Sequence, residues 1–202
     1  MYRIEIQLSG APGSPPVPWV VSNPIYIGSS AELRDQGSKP SGHDQEISQY
    51  SDGPPSGWRV ENSPRSQAAL DVVASVPGTQ LSLRYAIGGT REESPFVALI
   101  MPAGDQLKDF ASLVFTARSS RPTRVSVQLR TSEGSRWHRS VYVDDIARTI
   151  TVPFAEMTSR GSTNSSGPIL AAIRDVLFVV DTVNTRPGTS GQLWIDEVKY
   201  GR

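Results

Sequence analysis

Where apolar and polar residues alternate in this 202-residue chain, as over 2–8 and 124–130, the period is two, not 3.6. Near the start, Tyr2, Ile4, Ile6 and Leu8 share one parity while Arg3, Glu5 and Gln7 share the other, which predicts a half-buried strand. A proline- and glycine-rich loop over 10–18 leads to an extended segment at 19–27. Pro24 removes one ladder donor there, so an edge or a break is expected. From Trp58 onward the strand signals become regular. They fall at 58–61, 67–73, 80–87, 96–101, 111–118, 124–130, 137–143, 149–152, 176–181 and 193–200. Pro77-Gly78, Gly88-Gly89, Ser119 to Pro122, Glu133-Gly134 and Pro187-Gly188 supply turns between them. Short strands at this spacing predict an all-β sandwich or barrel. A helical turn is expected near 105–110 and a short helix near 168–174.

The last strand carries a change of phase. Leu193 and Ile195 hold one parity, and Val198 and Tyr200 hold the other. A one-residue slip of this kind predicts a β-bulge at Asp196-Glu197. Residues 29–57 break the pattern altogether, with Leu33 and Ile47 as their large aliphatics among Gly, Ser, Pro, Gln and Asp. A polar stretch of this length reads as a linker or long loop. The expected organisation is therefore 1–28 as strands left from or docking to an upstream domain, 29–57 as linker, and 58–202 as the sandwich. His43 lies in the linker and reads as a solvated side chain.

Composition narrows the chemistry. Lys plus Arg and Asp plus Glu are 20 each, so net charge makes no case for nucleic acid or an anionic membrane as partner. No apolar run approaches the roughly 20 residues that span a bilayer, and the first residues lack the apolar core of a signal peptide. The absence of cysteine excludes disulfides, thiol nucleophiles and thiolate zinc sites. No Ser-His-Asp order, phosphate-binding glycine loop or His-rich metal motif is present. Asp144-Asp145 follows a strand and precedes Ile146, which reads as a turn and not as a catalytic carboxylate pair.

The segments 124–130 and 136–143 make the candidate ligand face. Val125, Val127 and Leu129 point one way, and Arg124, Ser126, Gln128 and Arg130 the other. In the partner strand, Trp137 and Arg139 alternate with His138 and Tyr142. Aromatic rings stack on the C–H faces of a sugar, and polar side chains bond its hydroxyls. Gln128, Arg130, Trp137, His138 and Tyr142 are therefore the candidate carbohydrate-binding residues. Trp137 shares its parity with Val141 and Val143, so a place in the core competes with a place on the ligand face.

Two segments carry family resemblances. Gly191-Gln192-Leu193-Trp194-Ile195-Asp196-Glu197-Val198 and Val152-Pro153-Phe154-Ala155-Glu156-Met157 resemble jelly-roll carbohydrate-binding modules of the galactose-binding-like superfamily, over about 145 residues from Trp58 to Arg202. The resemblance implies an all-β jelly-roll sandwich that binds a glycan without catalysing a reaction, exported from a bacterial cell. It also implies a structural calcium, with Asp196 as one ligand and Glu61 as another if the first and last strands pair. The competing role for Asp196 is to accept hydrogen bonds from a neighbouring turn or to pair with an arginine. The segment 19–27, Trp-Val-Val-Ser-Asn-Pro-Ile-Tyr-Ile, is similar to the closing segment of polymerase-and-histidinol-phosphatase-type (PHP) metallohydrolase domains. That family's metal-binding histidines are missing, since His43 and His138 are the chain's two histidines. The second resemblance implies an upstream hydrolase domain as partner, with this chain either its carbohydrate-binding module or a structural accessory domain.

Overall fold

The computed structural model describes residues 54–75, 78–159 and 167–202, together with three two-residue strands further upstream. The chain divides into two compact units, 1–41 and 42–202. In the first unit, β1 (Glu5–Ile6) pairs antiparallel with β2 (Val20–Val21). The rest of the segment that resembles a metallohydrolase terminus lies outside the described residues.

The second unit is a two-layer antiparallel sandwich. It comprises β3 (Gln45–Glu46), β4 (Arg59–Asn62), β5 (Gln67–Ser75), β6 (Gly78–Ala86), β7 (Phe96–Pro102), β8 (Ser112–Ser119) and β9 (Thr123–Thr131). Then follow β10 (Arg136–Val143), β11 (Arg148–Pro153), β12 (Thr158–Ser159), β13 (Ile173–Asp181) and β14 (Ser190–Gly201). One sheet has the order β12-β10-β9-β13-β7-β4 and the other β11-β8-β14-β6-β5. The two last long strands, β13 and β14, thus lie inside their sheets, which fits their apolar character. Single 3₁₀ turns occur at Leu107–Asp109 and Leu170–Ala172, within the two segments expected to be helical, and a third follows β11 at Phe154–Glu156.

The core lies between the sheets and follows the predicted parity. Val125, Val127 and Leu129 of β9 meet Leu113, Phe115 and Ala117 of β8 and Leu193, Ile195, Val198 and Tyr200 of β14 in one cluster. Phe115 and Phe178 close it edge to face, with centroids 5.0 Å apart. The parity slip in β14 is realised as a bulge. The β14–β8 register shifts between Asp196 and Lys199, and Glu197 adopts φ +49°. Before the bulge β14 pairs with β6 as far as Ile195, and beyond it Lys199 and Tyr200 pair with β3. Gln45–Glu46, expected as part of the linker, is therefore a strand of the sandwich: the bulge turns this end of β14 toward a new neighbour.

The central strands of the first sheet depart from simple alternation. Val97, Leu99 and Met101 of β7 and Val176, Phe178 and Val180 of β13 face the core. Their alternate neighbours Ala98, Ile100, Leu177 and Val179 form a second buried apolar cluster on the outward side. Strands buried on both faces read as continuous apolar runs, as Val176 to Val180 does.

Candidate functional site

The expected ligand face exists as the outward side of β9 and β10, but its residues do not share one role. The hairpin register sets Gln128 opposite His138, Ser126 opposite Ser140 and Arg124 opposite Tyr142. Gly134, at φ +90°, allows the tight turn that closes this hairpin. His138, Ser140 and Tyr142 alternate along β10, so they line one side with Arg124 beside them.

Tyr142 is the open aromatic of this strip, 53% exposed. Ser140 Oγ donates to Asn184 Oδ1 at 3.5 Å. Asn184 is itself held by Asp181, whose Oδ1 accepts from the Val183 backbone N–H at 3.1 Å and from Asn184 Nδ2 at 3.4 Å. An aspartate that bonds its own backbone two residues on makes an Asx turn, and here it aims an amide at the strip. His138 Nδ1 lies 3.2 Å from the Thr158 carbonyl of β12. A phenol, a hydroxyl, an amide, an imidazole and a guanidinium thus share one outward face of the hairpin.

Gln128 and Arg130 do not belong to the open surface. Gln128 is 0% exposed; its Nε2 donates to Ser126 Oγ at 3.1 Å, and its Oε1 accepts from Arg136 at 3.3 Å. Arg130 is a clamp. It bonds Asp175 Oδ2 through Nε at 3.0 Å and Nη2 at 2.8 Å, and Glu61 Oε2 through Nη1 at 3.0 Å. Asp175 also takes Arg59 at 3.1 Å. Burial pulls the Arg130 guanidinium toward the neutral form, but its bonds to the two carboxylates outweigh that and raise its pKa. The clamp ties β4, β9 and β13 together. Trp137 faces the other way, half-buried against the core cluster with Val141, so the core placement prevails.

The expected cation pair is separated. β4, which carries Glu61, pairs with β7, and β14, which carries Asp196, pairs with β6, β8 and β3, so these two strands do not pair. Val60 and Ile195 pack against the core, which puts Glu61 and Asp196 on opposite outward faces. Glu61 is paired with Arg130. Asp196 Oδ1 accepts the Glu197 N–H at 2.8 Å, and Glu197 bonds Thr116 Oγ1 at 2.7 Å. Among the described residues no group of three or more Asp, Glu or His side chains gathers that could hold a metal ion. The residues therefore do not fit the calcium expected at Glu61 and Asp196.

Asp144-Asp145 forms the expected turn. Asp144 Oδ1 accepts from the Ile146 N–H at 3.1 Å and from Arg148 at 2.5 Å, and the bond to Arg148 holds its carboxyl below the usual aspartate range. The outward face of the second sheet is different again. Arg118 stacks on Trp194 with 3.8 Å to the ring centroid, Gln192 bonds Ser82 at 2.6 Å and Arg84 pairs with Asp71 at 2.9 Å. Sequence reasoning placed Arg124 on the polar side of its strand without naming it as a ligand residue. It missed Ser140 and Asn184 altogether, although Ser140 shares the parity of His138 and Tyr142 and so had a signal. Asn184 had none, because only the Asx turn brings it there.

No protein-family profile matches the sequence, and no curated protein matches it. Solved structures do. The chain is similar to the family 11 carbohydrate-binding module of the cellulosomal cellulase Lic26A-Cel5E of Clostridium thermocellum, with a TM-score of 0.61, 15% identity, and coverage of 79% of this chain and 95% of that one. A family 11 module from the same organism, solved in complex with a β-1,3-1,4-mixed-linked tetrasaccharide, matches with a TM-score of 0.58 at 15% identity over 78% and 94% of the two chains. The family 30 module of the cellulosomal cellulase Cel9D-Cel44B of Clostridium thermocellum matches with a TM-score of 0.53 at 11% identity over 78% and 96%. The fold is thus the jelly-roll β-sandwich of carbohydrate-binding modules. Among the described residues no helix is long and apolar enough to cross a membrane.

Proposed function

We propose that the sandwich is a non-catalytic carbohydrate-binding module and that the outward strip of β9 and β10 receives the glycan. The single observation that carries this reading is the exposed Tyr142 ring set among His138, Ser140, Arg124 and Asn184. A pyranose offers apolar C–H faces to such a ring and hydroxyls to the polar groups around it. The side chains of the strip follow one another along β10, which suits a chain laid along the strand. Gln128 and the Arg130–Asp175–Glu61 clamp act beneath it by holding β4, β9, β13 and the β10 strand in register. The fold shared with a module solved on a mixed-linked tetrasaccharide supports β-glucans as the first ligands to try. Attachment to an upstream hydrolase and export from the cell belong to the same reading.

Affinity electrophoresis through gels containing mixed-linked β-glucan, cellulose derivatives or galactans tests it. Retardation of the wild-type protein by one of these polymers, abolished by Tyr142→Ala with the melting temperature unchanged, is the expected result. Retardation that survives Tyr142→Ala and Arg124→Ala together would move the site elsewhere.

A further inference from the structure

A second concavity lies at the end of the sandwich, away from the strip. It is a cleft of about 370 Å³ between the β9–β10 turn and the segment that leads into β13. Thr131, Ser132, Glu133 and Ser135 line it from the turn, Trp137 from β10, and Ile169, Ala172 and Arg174 from the far side. The volume falls within the usual range for small-ligand sites, roughly 300–1,000 Å³.

Three features of this cleft leave groups available to a ligand. Ile169 is 69% exposed, as a large aliphatic at its edge. The Thr131 hydroxyl is buried and has no hydrogen-bond partner. A buried hydroxyl without a partner costs about 1–3 kcal/mol by protein mutational data, and native folds rarely keep one. Arg174 lies 3.9 Å from the Asp105 carboxylate, and both side chains stand mostly in water. That is a weak pair, so the guanidinium can reorient to a ligand.

The chemistry of the lining is amphiphilic. An indole and an aliphatic side chain supply apolar walls, and a carboxylate, a guanidinium and three hydroxyls supply acceptors and donors. Both signs of charge are present, which disfavours a strongly ionic ligand. We propose that this cleft is a separate binding site for one neutral pyranose residue, with Trp137 and Ile169 against its C–H faces and Glu133 and Arg174 on its hydroxyls. The Thr131 hydroxyl gains its partner when the site is filled. This site does not depend on the strip of β9 and β10. A residue at the end of a glycan, or a free monosaccharide, fits it, because a cleft of this volume holds about one ring.

Titration of the ¹⁵N-labelled full chain with glucose, galactose and N-acetylglucosamine tests the proposal. One of these sugars is expected to shift the Trp137 indole and the amides of 131–135 in a saturable way, and Arg174→Ala or Ile169→Ser should each weaken that binding roughly tenfold, as loss of a charged hydrogen bond or an apolar wall does. Thr131→Val is the sharper variant. It should raise the melting temperature of the free protein and lower its sugar affinity, whereas a purely structural threonine would change only the first. Shifts unaffected by Arg174→Ala and Ile169→Ser, or saturable shifts centred on Tyr142 in place of Trp137, would overturn the proposal. So would the absence of any indole shift with all three sugars. Tyr142→Ala should leave monosaccharide binding intact, so failure of the polysaccharide strip and failure of the cleft are told apart.

Discussion

The two outward faces of the sandwich follow the same two-residue period and end with opposite characters. On the second sheet, β5 and β8 alternate between buried or half-buried and more exposed positions, and the outward side chains stay polar or half-exposed: Asp71, Arg84, Gln192, Thr116 and the Arg118-covered Trp194. On the first sheet, β7 and β13 bury both parities, and Ala98, Ile100, Leu177 and Val179 lie at 0–2% exposure on the outward side. Next to that closed apolar floor stands the Arg130 clamp, and beyond it, on β10, the face opens at Tyr142. An antiparallel sheet needs only one buried face. A sheet that buries the centre of its second face leaves its accessible side chains to the margins, and the proposed glycan strip lies at the β10 margin.

Mutations separate the faces by energy. Leu177→Ala removes a fully buried side chain from the outward cluster and should destabilise the protein by about 3 kcal/mol, whereas Val73→Ala, outward on the second sheet and half-buried, should cost under about 1 kcal/mol. Urea midpoints for the pair measure the contrast, and equal costs would deny that the two faces differ. The ion pairs give a smaller version of the same test. Arg130→Leu strands the carboxylates of Asp175 and Glu61; the Arg130 and Asp175 side chains are only 13% and 16% exposed. It should cost about 2–3 kcal/mol. Arg84→Leu breaks an exposed pair and should cost no more than about 0.5 kcal/mol. If Asp175→Leu is added to Arg130→Leu, part of the loss should return, because the uncompensated charge goes with it.

The fold was legible in the sequence because alternation is a local signal. The parity of Val125, Val127 and Leu129 found the core face of β9, and the phase slip at Asp196-Glu197 found the bulge. Partners distant in the chain were not legible. Nothing local shows that Arg130 meets Glu61 and Asp175, or that β4 lies beside β7 and in the other sheet from β14, because sheet order is decided by packing. The same limit explains the divided site. Parity correctly placed Gln128, His138 and Tyr142 on one side of the sheet and Trp137 on the other, but it could not tell that Gln128 is buried and Tyr142 open. Gln45–Glu46 escaped notice for a related reason: two polar residues in a polar stretch carry no alternation that would reveal their pairing with β14.

The smallest effect concerns the turn that follows the open margin. Arg148 lowers the Asp144 pKa in the folded protein. A depressed carboxylate contributes stability above its unfolded pKa, about 3.9, and loses it as pH falls through the folded value. Arg148→Leu should therefore leave an acid unfolding limb that is slightly shallower, read from melting temperatures between neutral pH and about pH 3. An unchanged limb would mean that the pair contributes nothing, as many exposed pairs do.

The most direct measurement is chemical-shift mapping of the full chain with a mixed-linked β-glucan tetrasaccharide. The largest shifts are expected at Arg124, His138, Ser140, Tyr142 and Asn184, with the Trp194 indole of the opposite sheet unmoved. Shifts centred on Trp194 and Arg118, with Tyr142 silent, would contradict the assignment of recognition to the open margin of the first sheet.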